Sequence, residues 1–215
     1  MVKVVAIGCA CVLAACASGK SADSADIAKV ADVKTSFGPE FHVTNIAPMG
    51  IDPKLLAAQK LPDGLKFEPA DCAKFAIGQT MPPGSQGNMA AVTAEGDGNR
   101  LITIAVETSQ PIPINDPGQG CQKVGFAGGQ LRGVVEVVDA PQIAGTQTLG
   151  VHRVLQTVLD GKPHAGELYD YSAHFNTYQV IVIANPLVVP DKPVVPVDTQ
   201  RARDLLVRAV TAVRS

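Results

Sequence analysis

The side chains most able to do chemistry are four histidines, three tyrosines and five cysteines. His152 and His174 fall in runs that read as neighbouring strands, and Asp170 is near His174 in sequence; His42 and His164 stand apart. A hydrolytic histidine needs a hydroxyl or thiol that it can deprotonate. The chain has neither a Gly-x-Ser-x-Gly elbow nor a His-Glu-x-x-His pair. The segment "EGDGN" places Glu95, Asp97 and Asn99 at the first three odd positions of a calcium loop. It then puts Arg100 where that loop requires glycine and Val106 where it requires glutamate, so a hairpin turn accounts for it better. "GFAGGQLRG" fits neither dinucleotide-binding nor P-loop spacing and reads as a loop or bulge. The expectation is a chain that is not an enzyme, with no catalytic residue, no metal and no cofactor. Tyr169, Tyr171, Phe175 and Tyr178 form one aromatic cluster. Cross-strand packing is the plain account of it. A ligand patch is the sharper one, since tyrosine offers an apolar body with a polar tip.

Cysteine supplies the more specific chemistry. Cys16 ends the run Leu13-Ala14-Ala15-Cys16, which resembles the lipobox of bacterial lipoproteins: an aliphatic residue three before the cysteine, with small residues between. A thiol is the nucleophile needed to form a thioether with a diacylglycerol, and small neighbours pass through a narrow protease cleft. The resemblance implies lipidation of Cys16 and cleavage before it. Residues 1–15 then form the signal peptide, with Lys3 as its positive charge and Val4 to Ala15 as its apolar stretch. That stretch is too short for a helical membrane span, which takes about 20 residues. Acyl chains gain about 0.8 kcal/mol per buried CH₂, so two or three of them make the membrane a lasting partner. Residues 16–30 read as the lipidated cysteine and a tether, of which "ASGKSADSAD" is small and polar. Cys9 and Cys11 leave with the signal. Cys72 and Cys121 remain, an even pair that suggests one disulfide in an exported domain. A zinc site and a catalytic thiol are the rival readings, and no nearby ligand spacing supports either.

The elements that must position these groups follow from patterning. With 215 residues, 46% of them hydrophobic and 18% charged, the chain is globular, and residues 31–215 read as one domain with one core. A net charge of −2 with scattered basic residues excludes a nucleic-acid partner. A short helix is expected over Ile27 to Lys34, a strand over Phe41 to Ile46 and a helix around Pro53 to Lys60. A hairpin surrounds "EGDGN", and strands cover Leu131 to Val138 and Leu149 to Leu159. A second hairpin turns near Asn176-Thr177 and returns through Tyr178 to Ala184. Prolines 186, 190, 193 and 196 mark an extended connector, a stiff spacer or else a strip for a partner. Asp198 or Thr199 caps a last helix with Ala202, Leu205, Leu206, Ala209, Val210 and Val213 on one stripe. The sum is an α+β fold: a single antiparallel sheet of about five to seven strands packed against N- and C-terminal helices.

"FGPEF", "PADCAKF", "GCQKVGFAGG", "DAPQIAGTQTLGVHR" and "TQRARDLLVRAVTAVRS" together resemble an actinobacterial, chiefly mycobacterial, family of small lipoproteins described only as a domain of unknown function. The resemblance covers about Ala31 to Ser215. It implies attachment to the outer face of the cytoplasmic membrane and a twisted sheet packed on helices, and it supplies no active site.

The function expected is that of a lipid-anchored envelope module, non-enzymatic, whose domain binds a protein or a glycolipid. The alternative is a carrier of hydrophobic ligands, with a pocket between sheet and helices lined by residues such as Ile181, Ile183 and Leu205. A hydrolase on His152 or His174 ranks third and requires a Ser or Cys within hydrogen-bond reach.

Overall fold

The structure, a computed structural model, describes residues 25–51, 64–79, 81, 84–159, 161–190 and 192–215. The signal segment, Cys16, most of the tether and the helix expected around Pro53 to Lys60 lie outside these residues. A 3₁₀ helix, Ile27–Ser36, opens the described chain, and the Asp26 carboxylate caps it by accepting from the Ala28 N–H at 2.9 Å. The strands are β1 (His42–Gly50), β2 (Lys66–Glu68), β3 (Gly87–Gly96), β4 (Asn99–Thr108), β5 (Lys123–Gly128), β6 (Leu131–Val138), β7 (Gln147–Leu159), β8 (Lys162–Phe175) and β9 (Tyr178–Pro186). A 3₁₀ turn, Ala70–Cys72, leads into the short helix α1 (Ala73–Ile77). Helix α2 (Thr199–Arg214) closes the chain, with Asp198 accepting from the Arg201 N–H at 2.9 Å.

All nine strands of the described residues join one antiparallel sheet in the order β1-β3-β4-β9-β8-β7-β6-β5-β2. The fold is α+β with the sheet dominant, and the expectation of five to seven strands falls short. The two strands missed are β2 and β5. β2 is three residues long, too short to show alternation, and β5 carries glycine at 125 and 128. Pairing with β6 makes β5 a strand: Val124 stands opposite Val135 and Phe126 opposite Gly133. The hairpin turns follow local chemistry. Asp97 and Gly98 both have positive φ, +48° and +73°, as a two-residue turn of the tightest hairpin class demands.

Directly opposed residues in an antiparallel sheet share a face. On one face, Leu101 and Ala105 of β4, Val180, Val182 and Ala184 of β9, and Tyr171, Ala173 and Phe175 of β8 meet the 3₁₀ helix and α2. The six apolar stripe residues of α2 are all buried there. On the other face, Val124, Phe126, Val135 and Val151 meet Cys72, Phe75 and Ala76. The single core expected from composition is therefore two, on opposite faces and toward opposite ends of the sheet. The 3₁₀ helix and α2 shield only the β1-to-β8 part of their face. Beyond Val138 of β6 and Gly150 of β7, which pack at its margin, no helix of the described residues covers that face of β7, β6, β5 and β2.

Candidate functional site

The uncovered part of the helix-bearing face forms an open groove of about 560 Å³. Opposed pairs build its rows. Gly125, Val134 and Val154 lie side by side across β5, β6 and β7, and Ala127, Arg132 and Gln156 form the next row. Lys66 stands opposite Ala127 and Glu68 opposite Gly125 at the β2 edge. The floor is low because Gly125 has no side chain: a Cβ there would meet nothing nearer than the Glu68 carbonyl oxygen at 3.9 Å. Arg132 Nε donates to Gln156 Oε1 at 2.8 Å across the rim.

The row on the other side of the floor is polar and self-satisfied. Lys123 Nζ pairs with Glu136 Oε1 at 3.4 Å, and His152 Nε2 with Glu167 Oε1 at 2.8 Å. The His152 ring stacks on Tyr169 at 4.3 Å with an interplanar angle of 11°, and Tyr169 is in turn 6.4 Å from Tyr171.

All four residues of the aromatic cluster share this face, but they do not form one surface. Tyr171 and Phe175 are buried beneath α2, and Arg214 stacks its guanidinium 4.5 Å above Phe175. Burial raises the Tyr171 phenol above its ordinary pKa, while Arg203, which bonds it, opposes the shift. Tyr178 stacks on Phe175 at 5.6 Å and donates to Glu107 Oε1 at 3.1 Å. Tyr169 alone lies beside the groove. Burial and the adjacent Glu167 raise its pKa.

His174 is buried with both ring nitrogens engaged. Nδ1 donates to the Ile112 carbonyl at 3.1 Å, and Nε2 accepts from Gln179 Nε2 at 3.2 Å. Burial lowers its pKa and holds the ring neutral. His152 is engaged by Glu167 and stacked on Tyr169. Among the described residues neither ring is hydrogen-bonded to a hydroxyl or thiol, the partner that the expected hydrolase requires. His42 and His164 are exposed on β1 and β8.

Ile181 and Ile183 lie on the opposite side of β9 from Val180 and Val182, the residues that α2 packs against. They cannot line one cavity with Leu205, and the layer between sheet and α2 is solid: Val180, Val182 and Leu205 are at most 1% exposed. The expected carrier pocket is thereby overturned. "EGDGN" is the β3–β4 hairpin turn, and "GFAGGQLRG" is the β5–β6 hairpin with Gly129 at φ +57°. In the proline connector Val188 is 73% exposed, whereas Val195 packs against Gly98, where a Cβ would come within 2.5 Å of it.

Cys72 and Cys121 form a disulfide with Cα atoms 5.5 Å apart. It ties the turn after β2 to the residue two before β5, and so fixes the edge of the sheet that bears the groove.

One pair of interacting, partly buried ionisable residues, Asp170 and Arg153, escaped the sequence reading. Asp170 faces away from the groove, on the side of α1. It keeps part of its surface accessible, yet the protein around its carboxyl is dense enough to push its pKa up to about 6, with Arg153 opposing. Arg153 Nη1 donates to the Ala76 carbonyl at 2.7 Å and holds α1 to the sheet. Burial lowers the Arg153 pKa. Alternation along β8 places Asp170, Ser172 and His174 on one face, but no sequence signal says that this face is covered.

No curated protein matches the chain. The X-ray structure of an uncharacterized Mycobacterium smegmatis protein, described as an Rv0999 ortholog, is 62% identical. The match covers 91% of this chain and 100% of that one, with a TM-score of 0.85. The crystal structure of the extracellular domain of PknH from Mycobacterium tuberculosis is 13% identical over 85% of this chain and 90% of that one. Its TM-score is 0.38. The model of the domain of unknown function DUF5642 matches residues 26–214. With that match spanning nearly the whole folded chain, and a mycobacterial relative sharing most of its residues, the protein belongs to the DUF5642 family.

Proposed function

We propose that this chain is a non-enzymatic envelope module, held on the outer face of the cytoplasmic membrane by acyl chains on Cys16, that binds a protein or glycolipid through the groove on β7, β6, β5 and β2. The observation that carries the reading is the groove itself: an apolar floor with a polar rim that no helix of the described residues covers. The disulfide supports an oxidising, exported setting. The anchor proposed rests on Leu13-Ala14-Ala15-Cys16 and its resemblance to a lipobox; no helix of the described residues is long and apolar enough to cross a membrane.

The entry point of the chain suits this role. The Asp26 N–H donates to the Val213 carbonyl at 2.8 Å, so the tether joins the domain at the C-terminal end of α2. Arg214, at that end, lies over Phe175, near the Gln147–His174 row. The groove reaches Gln156, nine residues further along β7, or about 30 Å at 3.3 Å per residue. A tether of about ten residues spans at most about 35 Å. In this reading the tethered end is the one nearer the bilayer, with the groove at the other end of β7.

The test is native mass spectrometry of the protein extracted from its own membrane, beside cell fractionation of Cys16→Ser. The expected result is a covalent acyl mass on Cys16, a further non-covalent adduct, loss of that adduct in Gly125→Leu, and release of Cys16→Ser from the membrane pellet. A wild-type protein without any adduct contradicts the binding role. A Cys16→Ser protein that carbonate fails to wash from the pellet contradicts the anchor.

A further inference from the structure

Resting on that reading of the groove, we infer that of its two ligand classes the lipid one applies, and that the lipid is an anionic amphiphile, with an alkyl or acyl chain for the floor and a carboxylate or phosphate monoester in its head. The charges of the face are sorted. Glu136, in the row beyond the floor, and Glu167, beside Val154 at the β8 end of the floor row, already have Lys123 and His152 as partners. Lys66 and Arg132 flank Ala127 in the opposite row and form no ion pair among the described residues. Glu68, two residues from Lys66 on the same face, is also without an ion pair, at the side of the floor rather than its head. Two uncommitted cations therefore stand across one end of an apolar floor. The fork of Arg132, its Nε held by Gln156, is suited to an anion with two or more oxygens.

The floor decides between a chain and a peptide. Gly125, Val134 and Val154 belong to strands paired on both sides, so their backbone donors and acceptors are spent in the ladder. A peptide laid across them would leave its own amides without partners, which costs free energy on every one. An alkyl chain has none to satisfy. The void over Gly125 gives that chain a place between Val134 and the β2 edge.

The test is calorimetric titration of the full chain carrying Cys16→Ser, which needs no detergent. The probes are decanoate, decyl phosphate, uncharged decyl glucoside, inorganic phosphate and a short peptide with an apolar C-terminal residue. The expected result is that decanoate and decyl phosphate bind at least about tenfold more tightly than decyl glucoside, since two charge-assisted contacts are added. Inorganic phosphate and the peptide show no saturable binding. In Lys66→Gln/Arg132→Gln the preference for an anionic head disappears while decyl glucoside binds as before. In Gly125→Leu all three alkyl probes are lost at an unchanged thermal midpoint. Equal affinity for decyl glucoside and decyl phosphate, tighter binding of the peptide, or no binding of any alkyl probe overturns the inference. If a native adduct is nonetheless found on the protein from its own membrane, the binding role stands and only this ligand class falls.

Discussion

Leu205 of α2 and Ile183 of β9 lie on opposite sides of the same sheet. Leu205 packs into the layer with Val182 and Ala184, both fully buried, while Ile183 alternates away from them and keeps part of its surface. Truncating the two should therefore have unequal effects. Leu205→Ala leaves a cavity in a closed layer and should cost about 2–5 kcal/mol. Ile183→Ala should cost less, because its site is half open to solvent. Urea unfolding midpoints of the two variants check this; equal losses would mean that Ile183 is also sealed in a core.

Gly150 makes room for Tyr171. The two are directly opposed on β7 and β8, and a Cβ on Gly150 would lie 2.6 Å from the Val138 carbonyl and 3.1 Å from the Tyr171 ring. Gly150→Ala should destabilise by about 1–3 kcal/mol through overpacking. Tyr171→Leu in the same background should recover part of that loss, which a double-mutant cycle of thermal midpoints would reveal.

Asp170 should make stability depend on pH with an unusual sign for a carboxylate. Its folded pKa is raised to about 6 from an ordinary value of 3.8, so the native state keeps a proton that the unfolded chain has lost. This contribution is fully present below the ordinary pKa and is lost as pH rises through about 6, amounting to at most about 3 kcal/mol. His174 acts in the opposite direction. Its pKa is lowered by burial, so its share is present above the ordinary histidine value and is lost as pH falls. Comparing wild type with Asp170→Asn isolates the first effect: the difference in stability between the two should change between pH 4 and 6 and be flat above pH 7. A pH-independent difference would show that the carboxyl titrates normally.

Reduction of the disulfide should act on both stability and the groove. Cys72 and Cys121 are separated by 49 positions, and closing such a loop stabilises the fold by about 4 kcal/mol on the loop-entropy model. Cys72→Ala/Cys121→Ala should lower the unfolding midpoint accordingly. It should also free the β2 edge, which has only three paired residues, and speed amide exchange at Lys66–Glu68. A midpoint unchanged by the double substitution would remove the bond from the account.

Local signals reached the elements and stopped short of the layers. The stripe on α2, the Asp198 cap, the turns at Asp97-Gly98 and Asn176-Thr177, and the cysteine pair were legible because each depends on residues close together or on a count. β2 and β5 were not. A three-residue strand has no period, and the glycines of β5 look like a loop until β6 supplies its partner. The groove was less legible still. Strand register puts Val134 and Val154 on one face with Tyr169, and alternation within each strand cannot supply that register or say that α2 ends its cover near Tyr171. The same limit misplaced Ile181 and Ile183 against Leu205, since period-two patterning divides a strand into two faces without saying which one the helix takes.

Hydrogen exchange, measured on the protein in its own membrane and again on the purified, delipidated chain, tests the central claim most directly. The account holds that the bare half of the helix-bearing face is occupied in place. It predicts slower exchange in the membrane sample at Lys66–Glu68 and across Lys123–Val138, with Thr199–Arg214 unchanged. Identical exchange of the groove strands in both samples, or protection gained only along α2, would contradict it.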